Sequence, residues 1–101
     1  MDTKTLISEA KARFNHNSAK AYLKDKYDSK FIVADQLGLW RADLETINFL
    51  TAYTDEWVIL IDTFKNPVRV NRVTLLEKLS ETYKSTMDEW YTEWTELEKK
   101  R

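Results

Sequence analysis

One apolar stripe runs along the last third of the chain, with no glycine or proline to interrupt it. Its members are Leu76, Leu79, Tyr83, Met87, Trp90, Trp94 and Leu97. Successive members are three or four residues apart, a spacing that places them along one side of a helix and close to the repeat of a coiled-coil seam. The stripe therefore predicts a long C-terminal helix, beside which the shorter upstream elements have to pack.

The rest of the chain alternates between helical and β-prone segments. The polar residues near position 16 either interrupt the first helix or are passed by it. The helices are expected over about residues 3–27, 43–53 and 72–98, and the hairpins over about residues 31–41 and 57–70. The pattern predicts an α+β fold, with three helices and a small antiparallel sheet of two short hairpins, in a single domain over residues 1–101.

Several residues have expected local roles at the ends of these elements. Gly38 is expected to supply a positive φ in the first hairpin turn. Five consecutive apolar residues, Trp57–Ile61, predict a strand buried on both faces. Pro67 is expected to begin the return strand, where a missing N–H does least harm. Asp43 and Asn71 are the expected N-caps of the second and third helices.

Composition limits the classes of function. The 101 residues carry 16 basic and 17 acidic side chains, so no overall field favours nucleic acid or an anionic membrane. There is no cysteine, which excludes disulfides and thiolate zinc sites. The chain start lacks the apolar region of a signal peptide, and no apolar run is long enough to cross a bilayer. We expect neither secretion through a signal peptide nor a transmembrane segment.

No set of residues matches a catalytic or metal-binding motif. His16, the only histidine, stands in a polar stretch that is expected to be exposed. Acidic residues at predicted element ends are expected to act as caps and solvated turn residues: Asp35, Asp43, Asp55, Glu56 and Asp62. The sequence therefore predicts no enzyme, no catalytic residue, no metal and no cofactor.

A basic cluster around the second hairpin is too small to favour nucleic acid. Lys65, Arg69 and Arg72 are the three charges that would contact phosphate. Acidic residues nearby oppose them, so nucleic-acid binding ranks below protein binding.

The C-terminal helix also carries the candidate interaction residues. At its predicted length it spans about 40 Å, whereas a compact domain of this size has a radius of gyration of about 13 Å. Either the N-terminal helix runs antiparallel along its second half, or that half projects and pairs with another chain. The second alternative predicts a protein partner or self-association, and favours a homo-oligomer, through the following residues: Tyr83, Met87, Trp90, Tyr91, Trp94 and Leu97.

A resemblance accompanies these observations. Trp40, Ala42 and Asp43 form an aromatic-x-Ala-Asp segment that opens a short helix, and a Trp-led strand, an Asp turn and a second strand follow it. With the long final helix, this pattern over about residues 27–98 resembles a small uncharacterised domain of phage and prophage tail-fibre and tail-accessory proteins. The resemblance carries no catalytic residues.

The resemblance implies a non-enzymatic structural or assembly protein of a phage tail, acting through protein–protein contacts. The location expected for such a protein is the virion or the host cytoplasm. An alternative of another class is a small phage-encoded inhibitor that binds a host protein. A small enzyme and a nucleic-acid-binding protein rank lower.

Overall fold

The computed structural model describes residues 3–99, apart from the side chains of residues 3–5, 9, 10 and 12–14. The α+β class is confirmed, since these residues form three α-helices, one 3₁₀ turn and two antiparallel hairpins that make separate sheets. The elements are α1 (Thr3–Asp28), the 3₁₀ turn (Ser29–Phe31), β1 (Ile32–Asp35), β2 (Gly38–Arg41), α2 (Leu44–Ala52), β3 (Trp57–Ile61), β4 (Pro67–Asn71) and α3 (Arg72–Lys99). Residues 1, 2, 100 and 101, which the single-domain prediction includes, lie outside this description.

The first helix passes the polar residues near position 16 without a break and lies antiparallel to α3. The direction follows from the ion pairs between the helices, because Lys20 meets Glu98 at 2.6 Å and Lys30 meets Glu89 at 3.4 Å. A position further along α1 therefore faces an earlier position on α3. Of the two arrangements open from the sequence, α1 covers the second half of α3.

The protein is elongated. Its extents are 66, 24 and 19 Å and its radius of gyration is 19.5 Å. His16 of α1 already meets Glu98, near the last described turn of α3. In the antiparallel arrangement the residues of α1 before His16 extend past that turn. The element that outruns its neighbour is thus the start of α1, not the end of α3.

The caps and the strand start are confirmed. Asp43 accepts a hydrogen bond from the main-chain N–H of Thr46 at 2.8 Å and caps α2. Asn71 accepts from the N–H of Thr74 at 3.1 Å at the start of α3. Pro67 is the first residue of β4. Each side-chain oxygen satisfies a helix N–H that has no partner within its own helix.

The expected role of Gly38 was wrong. The residues with positive φ in this turn are Gln36 at 49° and Leu37 at 66°, as in the type I′ turn of a two-residue hairpin. Gly38 is needed for a different reason, since a Cβ at this position would lie 2.5 Å from the Trp40 indole. That indole donates a hydrogen bond from Nε1 to the carbonyl of Asp35 at 2.8 Å, which fixes the ring across the hairpin.

The core lies where α2, α3 and the inner faces of both hairpins meet. Its residues are Phe31, Val33, Trp40, Ala42, Leu50, Val58, Val70, Leu75 and Leu79. Full burial of an aliphatic side chain of this size contributes about 1.5–3 kcal/mol. The first half of α3 is therefore anchored in the core.

The prediction that β3 is buried on both faces was also wrong. Val58 is buried and Leu60 is half-buried, whereas Trp57, Ile59 and Ile61 are exposed. The inner side of the hairpin packs on the core, and the exposure of these three side chains shows that no described element covers the outer side. The exposed apolar residues of β3 therefore form a surface.

Asp62 joins the two hairpins. Its carboxylate accepts hydrogen bonds from the N–H groups of Phe64 and Asn66, each at 3.0 Å, and from that of Leu39 in β2 at 3.3 Å. The N–H of Thr63 donates to the carbonyl of Leu39 at 2.9 Å. The start of β2 is thereby held against the end of β3.

Candidate protein-binding surfaces

Three of the six predicted interaction residues face the interior of this chain. Tyr83, Met87 and Trp90 are half-buried and pack against the core. The Trp90 ring stacks on Tyr27 with centroids 6.2 Å apart, and Phe31 contacts both Trp90 and Tyr83. Residues of α1 and the 3₁₀ turn already cover most of these three side chains. Little of their surface is therefore accessible to another chain.

Two others face outward and define what we call the α3 aromatic surface, Tyr91 and Trp94. Tyr91 is 67% exposed and Trp94 is 38% exposed, and their rings stack with centroids 6.3 Å apart. A shallow apolar cleft of about 170 Å³ lies between them and the outer parts of Met87 and Trp90. A rigid helix therefore displays two adjacent aromatic rings beside a cleft.

The sixth residue, Leu97, lies between the helices. It is half-buried and lines a cavity with Ala19, Tyr22 and Leu23 of α1. The apolar stripe of α3 thus turns gradually from the core side towards α1 as it nears Lys99.

Charged groups hold α1 against this part of α3. The hydrogen bond from Lys26, and then that from the Tyr27 hydroxyl, hold the pKa of the Glu93 carboxyl below its usual value. Lys20 and then His16 do the same for the pKa of Glu98. Because these pairs are partly exposed, they contribute alignment and only modest stability.

Lys20 links this charge network to the α3 aromatic surface. Its ammonium group lies 5.6 Å from the centre of the Trp94 ring, within the range of a cation–π contact. One edge of the aromatic surface is therefore positively charged and fixed in place by Glu98.

A second apolar surface lies on the outer face of the β3–β4 hairpin. Ile59 is 70% exposed, Ile61 is 69% exposed and Trp57 is 46% exposed. Phe64, in the turn that follows β3, lines a different groove with residues of the first hairpin. The Arg69 guanidinium covers part of Trp57, at 4.8 Å from the ring centre. A cluster of large exposed apolar side chains is typical of a protein interaction surface.

This second surface was not predicted from the sequence, although the sequence carries a signal for it. The return strand alternates, with Val68 and Val70 apolar and Arg69 charged between them. Arg69 pairs with Ile59 across the hairpin, and paired residues lie on the same face. Alternation on β4 thus already placed Ile59 on a solvated face.

The residues considered for chemistry are spread over the fold. His16 contacts Glu98, Asp43 caps α2, and Asp62 is held by three main-chain N–H groups. Among the described residues, no three His, Asp or Glu side chains group closely enough to hold a metal ion. Within residues 3–99, no helix has the length and apolar character needed to cross a membrane.

The basic residues of the second hairpin also point to different neighbours. Arg72 donates to the carbonyls of Asp55 and Leu50, and Arg69 lies over Trp57. Lys65 is at the exposed turn with a φ of 68°. They do not converge on one spot that a phosphate group would occupy.

The chain is a small α+β protein with two exposed apolar surfaces, one on α3 and one on β3. Comparisons with known protein families, with curated proteins and with solved structures find no match to this chain.

Proposed function

We propose that the chain is a non-enzymatic structural or assembly protein of the phage-tail type that its sequence resembles, and that it binds a protein partner through the α3 aromatic surface. The single observation that carries the proposal is the exposed, mutually stacked pair Tyr91 and Trp94 beside an apolar cleft. Tyr and Trp are the residues that most often dominate protein–protein binding energy.

The rigidity of the surface supports the same proposal. Trp94 is held by its stack with Tyr91 and by Lys20, so binding costs little side-chain entropy. The partner contact would cover the two rings and the outer part of the cleft. Tyr83 and the inner face of Trp90 would stay with α1 and the 3₁₀ turn.

The experiment is co-purification of the tagged chain from cells in which the encoding phage or prophage is induced. The wild-type chain should recover tail components, and a Tyr91→Glu/Trp94→Glu double variant should lose them. Thr92→Glu is the matched control, because it adds a like charge at the neighbouring exposed position of α3.

Two results would count against the proposal. Recovery of tail components by the double variant would remove the α3 aromatic surface from the contact. Recovery of a host protein without any virion component would favour the inhibitor of a host protein instead.

A further inference from the structure

The two edges of the β3–β4 hairpin differ in what their main-chain groups bind. The main-chain carbonyl of Glu56 accepts a hydrogen bond from the N–H of Arg72 at 2.8 Å, and the N–H of Asp62 donates to the main-chain carbonyl of Asn66 at 3.0 Å. Because antiparallel pairs alternate, the even-numbered residues of β3 direct their N–H and C=O groups to β4, and the odd-numbered ones direct theirs outward. No hydrogen bond joins these outward groups to any described residue.

The opposite edge is protected at both ends and carries a charged side chain, Arg69, between them. Pro67 begins β4 without an N–H to offer, and the side-chain amide of Gln36 binds both main-chain groups of Asn71, at 2.6 and 3.3 Å. Natural sheets commonly protect edges by such means. Between Trp57 and Ile61, β3 is therefore the less protected of the two edges.

That edge is apolar, which is unusual for an unprotected strand. Its outward main-chain groups belong to Trp57, Ile59 and Ile61, the same residues whose side chains are exposed on the outer face. No Lys, Pro or bulge blocks these three positions. An exposed apolar edge strand is a template for pairing with another extended strand.

We propose that the partner of this edge is β3 of a second copy, paired antiparallel about a two-fold axis at Ile59. The three outward residues are symmetric about Ile59, so each outward N–H and C=O finds its counterpart in the other copy. Trp57 of each copy stands beside Ile61 of the other. Aromatic and β-branched side chains are favourable cross-strand neighbours.

Charge complementarity favours a second copy over an unrelated strand. Exposed Asp55 and Glu56 precede β3, and exposed Lys65 stands in the turn that follows it. No ion pair involves these three side chains within the described residues. Antiparallel pairing brings the acidic end of each strand towards the basic turn of the other.

β2 limits the pairing beyond Ile61, because the N–H of Thr63, the next outward group of this edge, donates to the carbonyl of Leu39 at 2.9 Å. The incoming strand therefore pairs with Trp57–Ile61 only. A two-fold axis at Ile59 uses the same β3 edge of both copies, so this contact is closed and ends at a dimer with a continuous four-stranded sheet.

The test is the molar mass of the purified chain by light scattering and sedimentation at high micromolar concentration. The wild-type chain should be a dimer, Ile59→Lys a folded monomer, and Ile59→Val a dimer. Lysine at this position places like charges opposite each other at the two-fold axis, whereas valine keeps the β-branched shape. A wild-type monomer, an open-ended assembly, or a dimer that survives Ile59→Lys would overturn the proposal.

Thiol cross-linking gives a second measurement that does not depend on a disruptive variant. The chain has no cysteine, so Ile59→Cys introduces a unique thiol at the axis. A short thiol-reactive cross-linker should join two copies of Ile59→Cys and should not join two copies of Ser85→Cys on exposed α3. Equal cross-linking of the two variants would overturn the proposal.

This dimer is independent of the proposed partner contact. Tyr91→Glu/Trp94→Glu should stay dimeric, and Ile59→Lys should still recover tail components. If the α3 variant alone became monomeric, self-association would run through α3 and the β3 dimer would be wrong.

Discussion

The indole ring of Trp90 stacks on the phenol ring of Tyr27, with centroids 6.2 Å apart and planes inclined by 10°. The hydroxyl of the same tyrosine donates to Glu93 at 2.7 Å, one turn further along α3. Phe31 closes on the indole from the side at 6.4 Å. One tyrosine thus uses both its ring and its hydroxyl to hold α3.

The contrast between Trp90 and Tyr91 gives the first prediction. Trp90→Ala should lower the free energy of unfolding by about 2–3 kcal/mol, somewhat below the range for fully buried aromatics, because Trp90 is half-buried. Tyr91→Ala should change it by less than about 0.5 kcal/mol, as expected at an exposed position. Urea unfolding of both variants measures the difference. Equal losses would contradict the inward and outward assignment of these neighbours.

Local chemistry made part of the fold predictable from the sequence. Asp43 and Asn71 act within three residues of their own positions, through the N–H groups of Thr46 and Thr74. The ring of Pro67 fixes φ and removes the main-chain N–H whatever surrounds the residue. Such roles need no knowledge of what packs nearby, which is why the caps, the strand start and the three helices were all anticipated.

Roles that depend on distant neighbours were not predictable in the same way. The five apolar residues of β3 indicate a strand, yet burial on both faces needs a covering layer that no described element provides. The stripe of α3 likewise indicates a helix without saying that Tyr27 would cover Trp90. For Gly38, the sequence indicates a turn, but the close approach of the Trp40 ring is visible only in three dimensions.

The turn of the first hairpin yields a stabilising prediction. Leu37 is fully exposed and has a φ of 66°, a conformation that costs a non-glycine residue about 1–2 kcal/mol. Leu37→Gly should therefore raise the free energy of unfolding by about 1 kcal/mol, since part of the relief is offset by the entropy of glycine in the unfolded chain. Leu37→Val is the control and should lower stability. A loss on Leu37→Gly would show that the leucine side chain has a contact.

A larger residue at Gly38 should lower the free energy of unfolding. Gly38→Ala forces the new methyl group against the Trp40 indole and should cost about 1–3 kcal/mol in unfolding free energy, as overpacking does. In a Trp40→Leu background the same change should cost less, because the ring that it meets is gone. A double-mutant cycle by chemical denaturation measures this coupling. An identical cost in both backgrounds would point to backbone conformation as the cause.

Asp62 makes the stability of the hairpin junction depend on pH. The N–H of Asn66, followed by those of Leu39 and Phe64, holds the pKa of the Asp62 carboxyl below its ordinary value of 3.8, against the opposing effect of burial. A carboxyl whose pKa is lower in the folded state stabilises the fold fully above its unfolded pKa. That contribution is lost as the pH falls through the folded pKa.

Asp62→Asn tests this dependence with little change in shape. The amide oxygen still accepts N–H groups but carries no charge, so the variant should be less stable than the wild type at neutral pH. The difference should shrink as the pH falls from 3.8 through the lower folded pKa, because the carboxyl is protonated first in the unfolded chain and then in the folded protein. Glu93, Glu98 and Asp28, whose pKa values are also lowered, are present in both proteins, so their contributions cancel in the comparison. Urea unfolding at neutral and acid pH measures the difference, and a difference independent of pH would mean that Asp62 acts through its shape alone.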